Sequence, residues 1–213
     1  MLAAKSVRKK IKNIEILRDI NFSLNEAETL GIVGDNGVGK TLLLFILLGL
    51  ISPDSGEVIC LGGCPGDERI RERINVIFGN SRLFSELSPY QNIRAFSSMY
   101  GVKLSDSYII SKMKKYNLTK YTNDKKTKMS QLSSGENAKM HLIKAFINSP
   151  KILFMDEPTA HLDGKTRSNF YNFFQNEKRK RVFSSILISH SVPEVKKLCD
   201  RVLTLREGKL KKM

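Results

Sequence analysis

Short apolar runs, several of them rich in β-branched residues, mark the predicted strands of this 213-residue chain. Runs of this length, bounded by turn residues, are typical of strands buried in a sheet. Within residues 1–33, apolar and polar residues alternate loosely over 14–20 and cleanly over 21–24, which predicts strands there. A C-terminal hairpin is predicted around Glu207-Gly208. The remaining strands are predicted at residues 30–33, 57–61, 74–78, 151–155 and 185–189.

Apolar stretches and capping sequences mark the predicted helices. Residues 42–48 form an apolar stretch, and residues 88–91 form a capping box with proline in the first turn. The predicted helices span 42–48, a segment starting at 88, and residues 105–117, 133–148, 165–177 and 192–198. Because the strands resume after residue 150, residues 84–150 are predicted to be a helical block inserted into one α/β domain that spans residues 1–213.

A glycine-rich stretch of the pattern G-x-x-x-x-G-K-T joins the strand at 30–33 to the first helix. Its residues are Gly34, Asp35, Asn36, Gly37, Val38, Gly39, Lys40 and Thr41. Glycines let the backbone curl so that several N–H groups point at one anion, and the helix N-terminus adds partial positive charge. Lys40 can reach the β- and γ-phosphates of a nucleotide, and the Thr41 hydroxyl can hold magnesium. For the loop alone, a glycine-rich turn that binds nothing stays open as an alternative.

The composition is that of a folded globular chain, with 41% hydrophobic and 27% charged residues. The longest apolar run covers residues 42–51, whereas a membrane span needs about 18 residues. Residues 1–10 lack the apolar core of a secretory signal. We therefore expect neither a membrane span nor secretion, and a cytoplasmic location.

Charge and cysteine usage narrow the class of partner. The net charge is +15, from 36 basic and 21 acidic residues, which nucleic acid or an anionic membrane surface could attract. The lysines are scattered, with local clusters over 120–128 and 178–181, so a solvated face is the favoured interpretation and no specific nucleic-acid partner is expected. The odd set Cys60, Cys64 and Cys199 lacks zinc-site spacing and predicts reduced, structural thiols.

Five motifs stand along the chain in one order. They are the loop at 34–41, Leu132-Ser133-Ser134-Gly135-Glu136, Phe154-Met155-Asp156-Glu157-Pro158-Thr159, Ala160-His161-Leu162-Asp163, and His190. In this order they resemble the Walker A loop, signature motif, Walker B strand with its following glutamate, D-loop and switch histidine of the ATP-binding subunit of ABC transporters. The resemblance covers nearly the whole chain.

The resemblance implies an α/β fold. This fold is a P-loop NTPase core with a mostly parallel sheet, an N-terminal antiparallel β portion, and an α-helical subdomain, here residues 84–150, inserted between Walker A and Walker B. The resemblance also implies the cofactors ATP and Mg²⁺ and an ATPase activity.

The implied roles suit the residue types. Asp156 ends a buried strand, where its carboxylate can reach magnesium. Glu157 turns the other way and is expected to polarise the attacking water, while His190 holds the γ-phosphate geometry. Two alternatives stay open: the pair Asp156-Glu157 as a helix cap before Pro158, and His190 as a structural histidine.

The resemblance also implies partners. Ser133, Ser134 and Gly135 of the signature motif, with Asp163 of the D-loop, are expected to face the ATP of a second ATP-binding subunit in a homodimer. Ser133-x-x-Glu136 is equally a capping box, and both interpretations can hold. A separate transmembrane permease subunit is expected to bring the chain into peripheral contact with the inner face of the cell membrane.

Three positions depart from the family pattern. Gly79-Asn80 stands where the family carries a glutamine near magnesium, and Asn80 is predicted to take over as a metal ligand. Ser134 replaces a glycine. Ile11 stands where the family stacks an aromatic ring on adenine, so looser adenine binding is expected.

Two function classes are compared. The leading hypothesis is energy coupling for a membrane transporter by ATP-driven dimerisation, with export favoured because of the Gly79-Asn80 variant and the lack of a C-terminal regulatory domain. Phe84 and Leu87 are predicted to be exposed and to dock the permease. The alternative is a soluble ABC-type ATPase acting in ribosome, DNA or metal-cluster assembly. Ribosome-associated relatives usually carry two such domains and DNA-repair relatives carry long coiled coils, and the sequence has neither.

Overall fold

Strands and helices alternate along most of the chain in the computed structural model, which describes residues 1–79, 83–122, 124 and 126–213. Within this described part, the strands are β1 (Leu2–Ile11), β2 (Ile14–Leu24), β3 (Thr29–Val33), β4 (Ser55–Cys60), β5 (Ile74–Phe78), β6 (Ile152–Asp156), β7 (Ser184–Ser189), β8 (Arg201–Arg206) and β9 (Lys209–Lys212). The helices are α1 (Lys40–Leu47), α2 (Glu68–Arg71), α3 (Pro89–Met99), α4 (Asp106–Lys115), α5 (Ser134–Ala145), α6 (Gly164–Lys180) and α7 (Val192–Leu198). Single 3-10 turns lie at Thr119–Tyr121 and Met129–Gln131.

The main sheet has the strand order β5-β6-β7-β3-β8-β9. The pairs from β5 to β8 are parallel, and β9 joins β8 as an antiparallel hairpin. In this register Val33 lies beside Ser189, and Asp156 lies beside both Ile188 and Phe78. The carboxyl ends of β3, β5, β6 and β7 therefore meet at one edge, where ligands bind in open α/β sheets.

A second, three-stranded sheet has the order β2-β1-β4 and is antiparallel. Its buried side chains pack with α1 and with one face of the main sheet, including Leu17, Leu44 and Phe154. The opposite face of the main sheet, including Leu153 and Met155, packs with helices α3 to α7. Both faces of the parallel strands are covered, which explains their continuous apolar runs. The predicted α/β class, with a mostly parallel sheet and an antiparallel β portion, is confirmed.

Several boundaries differ from the predicted ones. Helix α1 begins at Lys40, inside the glycine loop, and the four-residue α2 was not predicted because it is too short to show periodicity. Helix α5 ends three residues early, and the side-chain amide of Asn148 donates to the carbonyl oxygen of Glu72 at 2.9 Å. Helix α6 continues to Lys180, with a basic last turn that suits the helix dipole. Of the described helices, none is long and apolar enough to cross a membrane.

Helices α3, α4 and α5 with the two 3-10 turns lie between β5 and β6, and residues 84–150 stay proposed as a helical subdomain. A buried carboxylate on α6 joins α4 of this block to the rest of the domain. Glu177 of α6 is 1% exposed, pairs with Lys115 of α4, and lies 3.1 Å from Arg181. Burial opposes its charge, yet the pKa of the Glu177 carboxyl lies below its ordinary value because Lys115 and Arg181 stand beside it.

This contact generates a stability prediction. Glu177→Gln leaves the two cations without their carboxylate and should lower the free energy of unfolding by about 1–3 kcal/mol at pH 7, measured by urea denaturation. The folded-state pKa is depressed, so the stabilisation is present above the ordinary value of 4.5 and is lost as the pH falls below it. Glu207→Gln is the control, because the Arg206–Glu207 pair is 78% and 80% exposed and should contribute almost nothing. Equal losses for both variants would contradict the assignment.

Candidate functional site

The glycine loop connects β3 to α1 and needs its glycines for two reasons. Gly37 and Gly39 have φ values of 82° and 101°, and Gly39 is the N-cap of α1. Such left-handed conformations strain residues with a Cβ. At Gly34 the reason is close approach, because a Cβ would lie 2.5 Å from the carbonyl oxygen of Leu205. The loop borders a cavity of about 260 Å³, lined by Asn36, Gly37, Gly39, Lys40, Thr41, Leu42, Asp156 and Glu157.

Lys40 begins α1 and is 7% exposed. Its ammonium donates to the carbonyl oxygens of Gly34 at 2.7 Å and Asp35 at 2.9 Å. The lysine is thus folded back onto its own loop, above the start of a helix. A compact positive charge beside a helix N-terminus is an arrangement that binds phosphate.

Asp156 ends β6 next to the first turn of α1. The Thr41 hydroxyl donates to its carboxylate over 3.2 Å, joining residues 115 positions apart. Burial raises the pKa of the Asp156 carboxyl, and the charge of Glu157 adds to the rise. A hydroxyl and a carboxylate side by side are hard oxygen donors of the kind Mg²⁺ prefers, so the two residues fit the predicted magnesium site. Asn80, the third predicted ligand, lies outside the described residues.

Glu157 follows Asp156 with a left-handed backbone, φ 48°, which is uncommon for a residue with a side chain. Its N–H donates to the carbonyl oxygen of Ile188 at 2.9 Å. The turn directs the two successive carboxylates to different partners, Asp156 to Thr41 and Glu157 to the end of β7. The two carboxylates are thereby separated, as the predicted roles of metal ligand and base require.

His190 contacts Glu157 twice. The His190 backbone N–H donates to one carboxylate oxygen at 2.8 Å, and the ring Nδ1 lies 2.9 Å from the other. An ionised carboxylate only accepts hydrogen bonds, which assigns the shared proton to Nδ1. The predicted contact of His190 was with a γ-phosphate, and here the ring is held by the carboxylate. The structure brings these two predicted residues together.

The signature motif forms the start of α5. Ser133 is the N-cap, and its hydroxyl contacts both the backbone N–H of Glu136, at 3.3 Å, and the Glu136 carboxylate, at 2.8 Å. Burial opposes the charge of Glu136, but hydrogen bonds from Lys120 and Ser133 lower its pKa to about 2. Ser134 and Gly135 occupy the first turn of α5. The predicted capping box is present.

The signature motif does not line the cavity beside the phosphate loop. Ser134 lines a different cavity, of about 370 Å³, together with Gly79, Pro158 and His161. Asp163 is likewise engaged locally: it caps α6 and accepts from the backbone N–H groups of Lys165 and Thr166 and from the Thr166 hydroxyl. Within one chain, Ser133, Ser134, Gly135 and Asp163 serve as helix-start residues.

Two further residues at the site were missed from the sequence. Ile16 on β2 lies against the phosphate loop, since a Cβ on Gly39 would meet its Cγ2 atom at 2.8 Å. Ile11, the residue expected near adenine, is 44% exposed at the hairpin tip.

The second missed residue is Glu194. It is 3% exposed and accepts hydrogen bonds from Thr159 and Ser189, which flank the Glu157–His190 pair. The Ser191-to-Glu194 spacing predicts a helix start but gives no hint of these contacts.

Comparisons with known proteins agree with the geometry. A family model described as ABC transporter matches residues 17–160. The ABC transporter ATP-binding protein NatA of Bacillus subtilis is 30% identical over 207 residues, covering 94% of this chain and 82% of NatA. The spermidine/putrescine import ATP-binding protein PotA of Fusobacterium nucleatum is 32% identical over 212 residues, 96% of this chain but 54% of PotA. This chain therefore spans about half the length of that relative.

A solved structure shares the fold over almost the full chain. The structure of cbiO1 from Clostridium perfringens, part of the ABC transporter complex cbiONQ, has a TM-score of 0.83 at 25% identity, covering 99% of this chain and 86% of that chain. The chain therefore belongs to the ABC transporter family, as an ATP-binding subunit with ATPase activity.

Proposed function

We propose that this chain holds ATP on residues 34–41, hydrolyses it with Glu157 as the base, and uses the cycle to drive a separate membrane permease. One observation carries the proposal: Lys40, the Thr41–Asp156 pair and the Glu157–His190 pair all stand at the edge where the parallel strands end. Phosphoryl transfer to water requires positioning and charge stabilisation more than covalent chemistry. These side chains supply both.

The phosphate loop binds and orients the nucleotide. Its backbone N–H groups and the start of α1 attract the phosphates, and the Lys40 ammonium leaves the carbonyl oxygens of Gly34 and Asp35 for the stronger charge of the phosphate. Magnesium, held by Thr41 and Asp156, would neutralise phosphate charge. Ile16 offers an aliphatic surface beside the loop, so the adenine ring of the nucleotide would be held by apolar contact rather than by stacking on an aromatic ring.

Glu157 is the group that receives the proton of the attacking water. Its carboxylate is 24% exposed, so water can reach it, while His190 fixes both of its oxygens. An ionised carboxylate oriented in this way can accept a further hydrogen bond from water and align it for attack. His190 then serves to orient the base, and the far side of its ring is available to the nucleotide.

Gly79 packs against the backbone of Asp156 and Glu157 and so limits the position of Glu157. Its N–H donates to the carbonyl oxygen of Asp156 at 2.8 Å, and a Cβ on Gly79 would lie 2.1 Å from the carbonyl oxygen of Glu157. Such a distance is impossible for a real side chain. Glycine at this position is therefore compatible with the left-handed Glu157 turn, and a glutamine there would displace the base.

The site gains its remaining groups from a second copy of the chain. The signature motif and Asp163 cap helices in a separate part of the surface, away from the cavity beside the phosphate loop. We propose a homodimer in which Ser133, Ser134 and Gly135 of one protomer meet the γ-phosphate held by the other. A helix N-terminus carrying a serine and a glycine is suited to that contact. ATP then bridges the protomers and favours the closed dimer.

The docking loop, defined as residues 83–88, is proposed to contact the permease and thereby bring the chain to the membrane. Phe84 is 42% exposed although its ring stacks on Phe96 with centroids 5.1 Å apart. Leu87 is half-buried rather than exposed, which corrects the prediction for that residue. The Leu87 carbonyl oxygen accepts from the backbone N–H of Met129, so Leu87 holds the loop to the protein rather than presenting an apolar surface to a partner.

Asn92 makes the docking loop a preformed surface. Asn92 is fully buried on α3, and its side-chain oxygen accepts from the backbone N–H of Phe84 at 2.9 Å. Its amide nitrogen lies within 3.2 Å of the carbonyl oxygens of Phe84, Leu87 and Ser88. A surface held in place in the free protein loses little entropy on binding. Ser130 N–H also donates to the Ser85 carbonyl oxygen, which ties the loop to the segment that leads into the signature motif.

Export stays a prediction from the sequence, because the name of the relative PotA states import. Cargo is read by the permease, whose residues are not in this chain. We therefore propose energy coupling to a permease as the function of this chain.

The role of Glu157 is tested by Glu157→Gln, which keeps shape and loses the charge that orients water. ATP hydrolysis should fall by about 10²–10⁴-fold while ATP binding persists. An ATP-dependent dimer should then accumulate on gel filtration. Lys40→Ala is the control: it should lose ATP binding and form no dimer. Hydrolysis by Glu157→Gln at the parental rate would remove Glu157 from the mechanism.

Gly79→Ala tests whether the close approach of Gly79 to the Glu157 carbonyl oxygen holds Glu157 in place. The added methyl group must push Glu157 from its position, and a misplacement on the order of 1 Å can lower the rate about 10²-fold. Steady-state ATPase assays should show that loss, while calorimetry should show ATP affinity near that of the parent. The matched control is Gly66→Ala, where a Cβ would meet its nearest atom at 3.8 Å. If Gly79→Ala hydrolyses ATP as fast as Gly66→Ala, the steric constraint does not operate.

Phe84→Glu tests the docking loop. Replacing the exposed apolar ring by a carboxylate should abolish co-sedimentation with the membrane fraction of cells and leave basal ATPase unchanged, because the Phe84 ring packs on Phe96 of α3. Val182→Glu is the control, since Val182 is another exposed apolar residue, 65% exposed, outside the helical insertion. Membrane association that survives Phe84→Glu would locate the permease interface elsewhere.

A further inference from the structure

Glu194 of α7 is a buried carboxylate that the reaction scheme above does not use. It is 3% exposed. Its Oε1 accepts from the Thr159 hydroxyl at 2.5 Å and its Oε2 from the Ser189 hydroxyl at 2.7 Å. Burying a carboxylate is unfavourable unless hydrogen bonds compensate it. The short contacts supply that compensation, and they connect Glu194 to both segments that carry the reacting groups.

The two hydroxyl donors flank the Glu157–His190 pair. Thr159 lies two residues after Glu157, and Ser189 immediately precedes His190. Tyr171 of α6 packs beside this group; burial raises the pKa of its hydroxyl, and the charge of Glu194 adds to the rise. The surroundings of Glu194 are thus polar but closed to solvent, and hydrogen bonds in such surroundings are strong.

The Ser189 hydroxyl has two carboxylates within reach and one proton to donate. Its oxygen lies 2.7 Å from Glu194 Oε2 and 3.3 Å from Glu157 Oε2, and it accepts from the backbone N–H of Ser191 at 3.0 Å. A hydroxyl donates one hydrogen bond. The shorter contact takes the proton, so it points to Glu194 and away from Glu157.

The direction of that proton matters to the base. Glu157 Oε2 already accepts from His190 Nδ1, and Oε1 from the His190 backbone N–H. A third donor at this carboxylate would compete with the attacking water and stabilise the charge that must take up the water proton. We propose that Glu194 is a positioning residue that holds the Ser189 hydroxyl proton away from Glu157 and so keeps Glu157 free to accept from water. This inference rests on the proposed role of Glu157.

The test is a double-mutant cycle on the full chain with steady-state ATPase and calorimetric ATP binding. Glu194→Met removes the acceptor at similar side-chain length, and the Ser189 hydroxyl then turns to Glu157. We expect kcat to fall about 10-fold or more, the size of one additional hydrogen bond to a charged group, with little change in ATP affinity. Ser189→Ala removes the hydroxyl itself and should keep kcat within about threefold of the parent, as expected when no transition-state contact is lost.

The double variant Ser189→Ala/Glu194→Met separates the proposal from a structural role. With no hydroxyl left to turn to Glu157, the second substitution should restore most of the kcat lost in Glu194→Met. If Glu194 only supports the fold, the double variant is as slow as the single one or slower, and that result overturns the inference. Parental kcat in Glu194→Met overturns it as well.

Single variants already named make each outcome decisive. Glu177→Gln is the control, because it removes a carboxylate that is equally buried but pairs with Lys115 and Arg181, and its kcat should stay parental. If Glu194→Met does not fold, Ser189→Ala alone decides: a loss of kcat of about tenfold would mean that the hydroxyl assists Glu157, contrary to the inference. Glu157→Gln with parental hydrolysis would refute the proposed function, whereas an inactive Glu157→Gln beside a fully active Glu194→Met would refute the positioning role only.

Discussion

The parallel pairing of β6 and β3 with β7 between them is the constraint on which the site depends. Its register sets Val33 beside Ser189 and Asp156 beside Ile188, so the segments that follow the three strands leave the sheet at one edge. Lys40, Glu157 and His190 are more than thirty residues apart in sequence, and no local interaction could bring them together. Both faces of these strands are buried, so a one-residue register slip would move every side chain into the packing of the opposite face, where it does not fit, and this makes the slip very unfavourable.

Much of this arrangement follows from the sequence, because parallel strands covered on both faces read as continuous apolar runs and the glycine loop has a fixed pattern. The contacts that position the proposed reacting groups do not follow from the sequence. Glu194 meets Thr159 across 35 positions, and Asn92 reaches back to a loop with no regular structure. An isolated Glu or Asn in a helix start looks like a cap or a solvated residue. Only the packing of α7 and α3 decides that these two are buried.

Local backbone chemistry explains the other differences. Leu87 was predicted to be exposed because it lies in a loop, yet its carbonyl oxygen accepts from the backbone N–H of Met129, which holds this residue against the segment before the signature motif. Gly79 looked like a lost ligand when the sequence was compared with the family pattern. Its main consequence is steric, since a Cβ there would occupy the space of the Glu157 carbonyl oxygen. A departure from a motif can thus report what its neighbour requires rather than what the position itself does.

The left-handed turn at Glu157 joins these observations. A residue with a side chain at φ 48° is strained, by an amount on the order of 1–3 kcal/mol, and persists only where surrounding contacts enforce it. Its N–H donates to Ile188, its carboxylate accepts from His190, and its carbonyl oxygen has room only because residue 79 has no side chain. Three strands therefore act on one residue: β5 through Gly79, β6 through Asp156, and β7 through Ile188 and His190. The position of Glu157, the proposed base, therefore depends on three segments that are distant in sequence. A substitution at the end of any of the three strands is expected to disturb it, even where the substituted residue does not contact the Glu157 carboxylate.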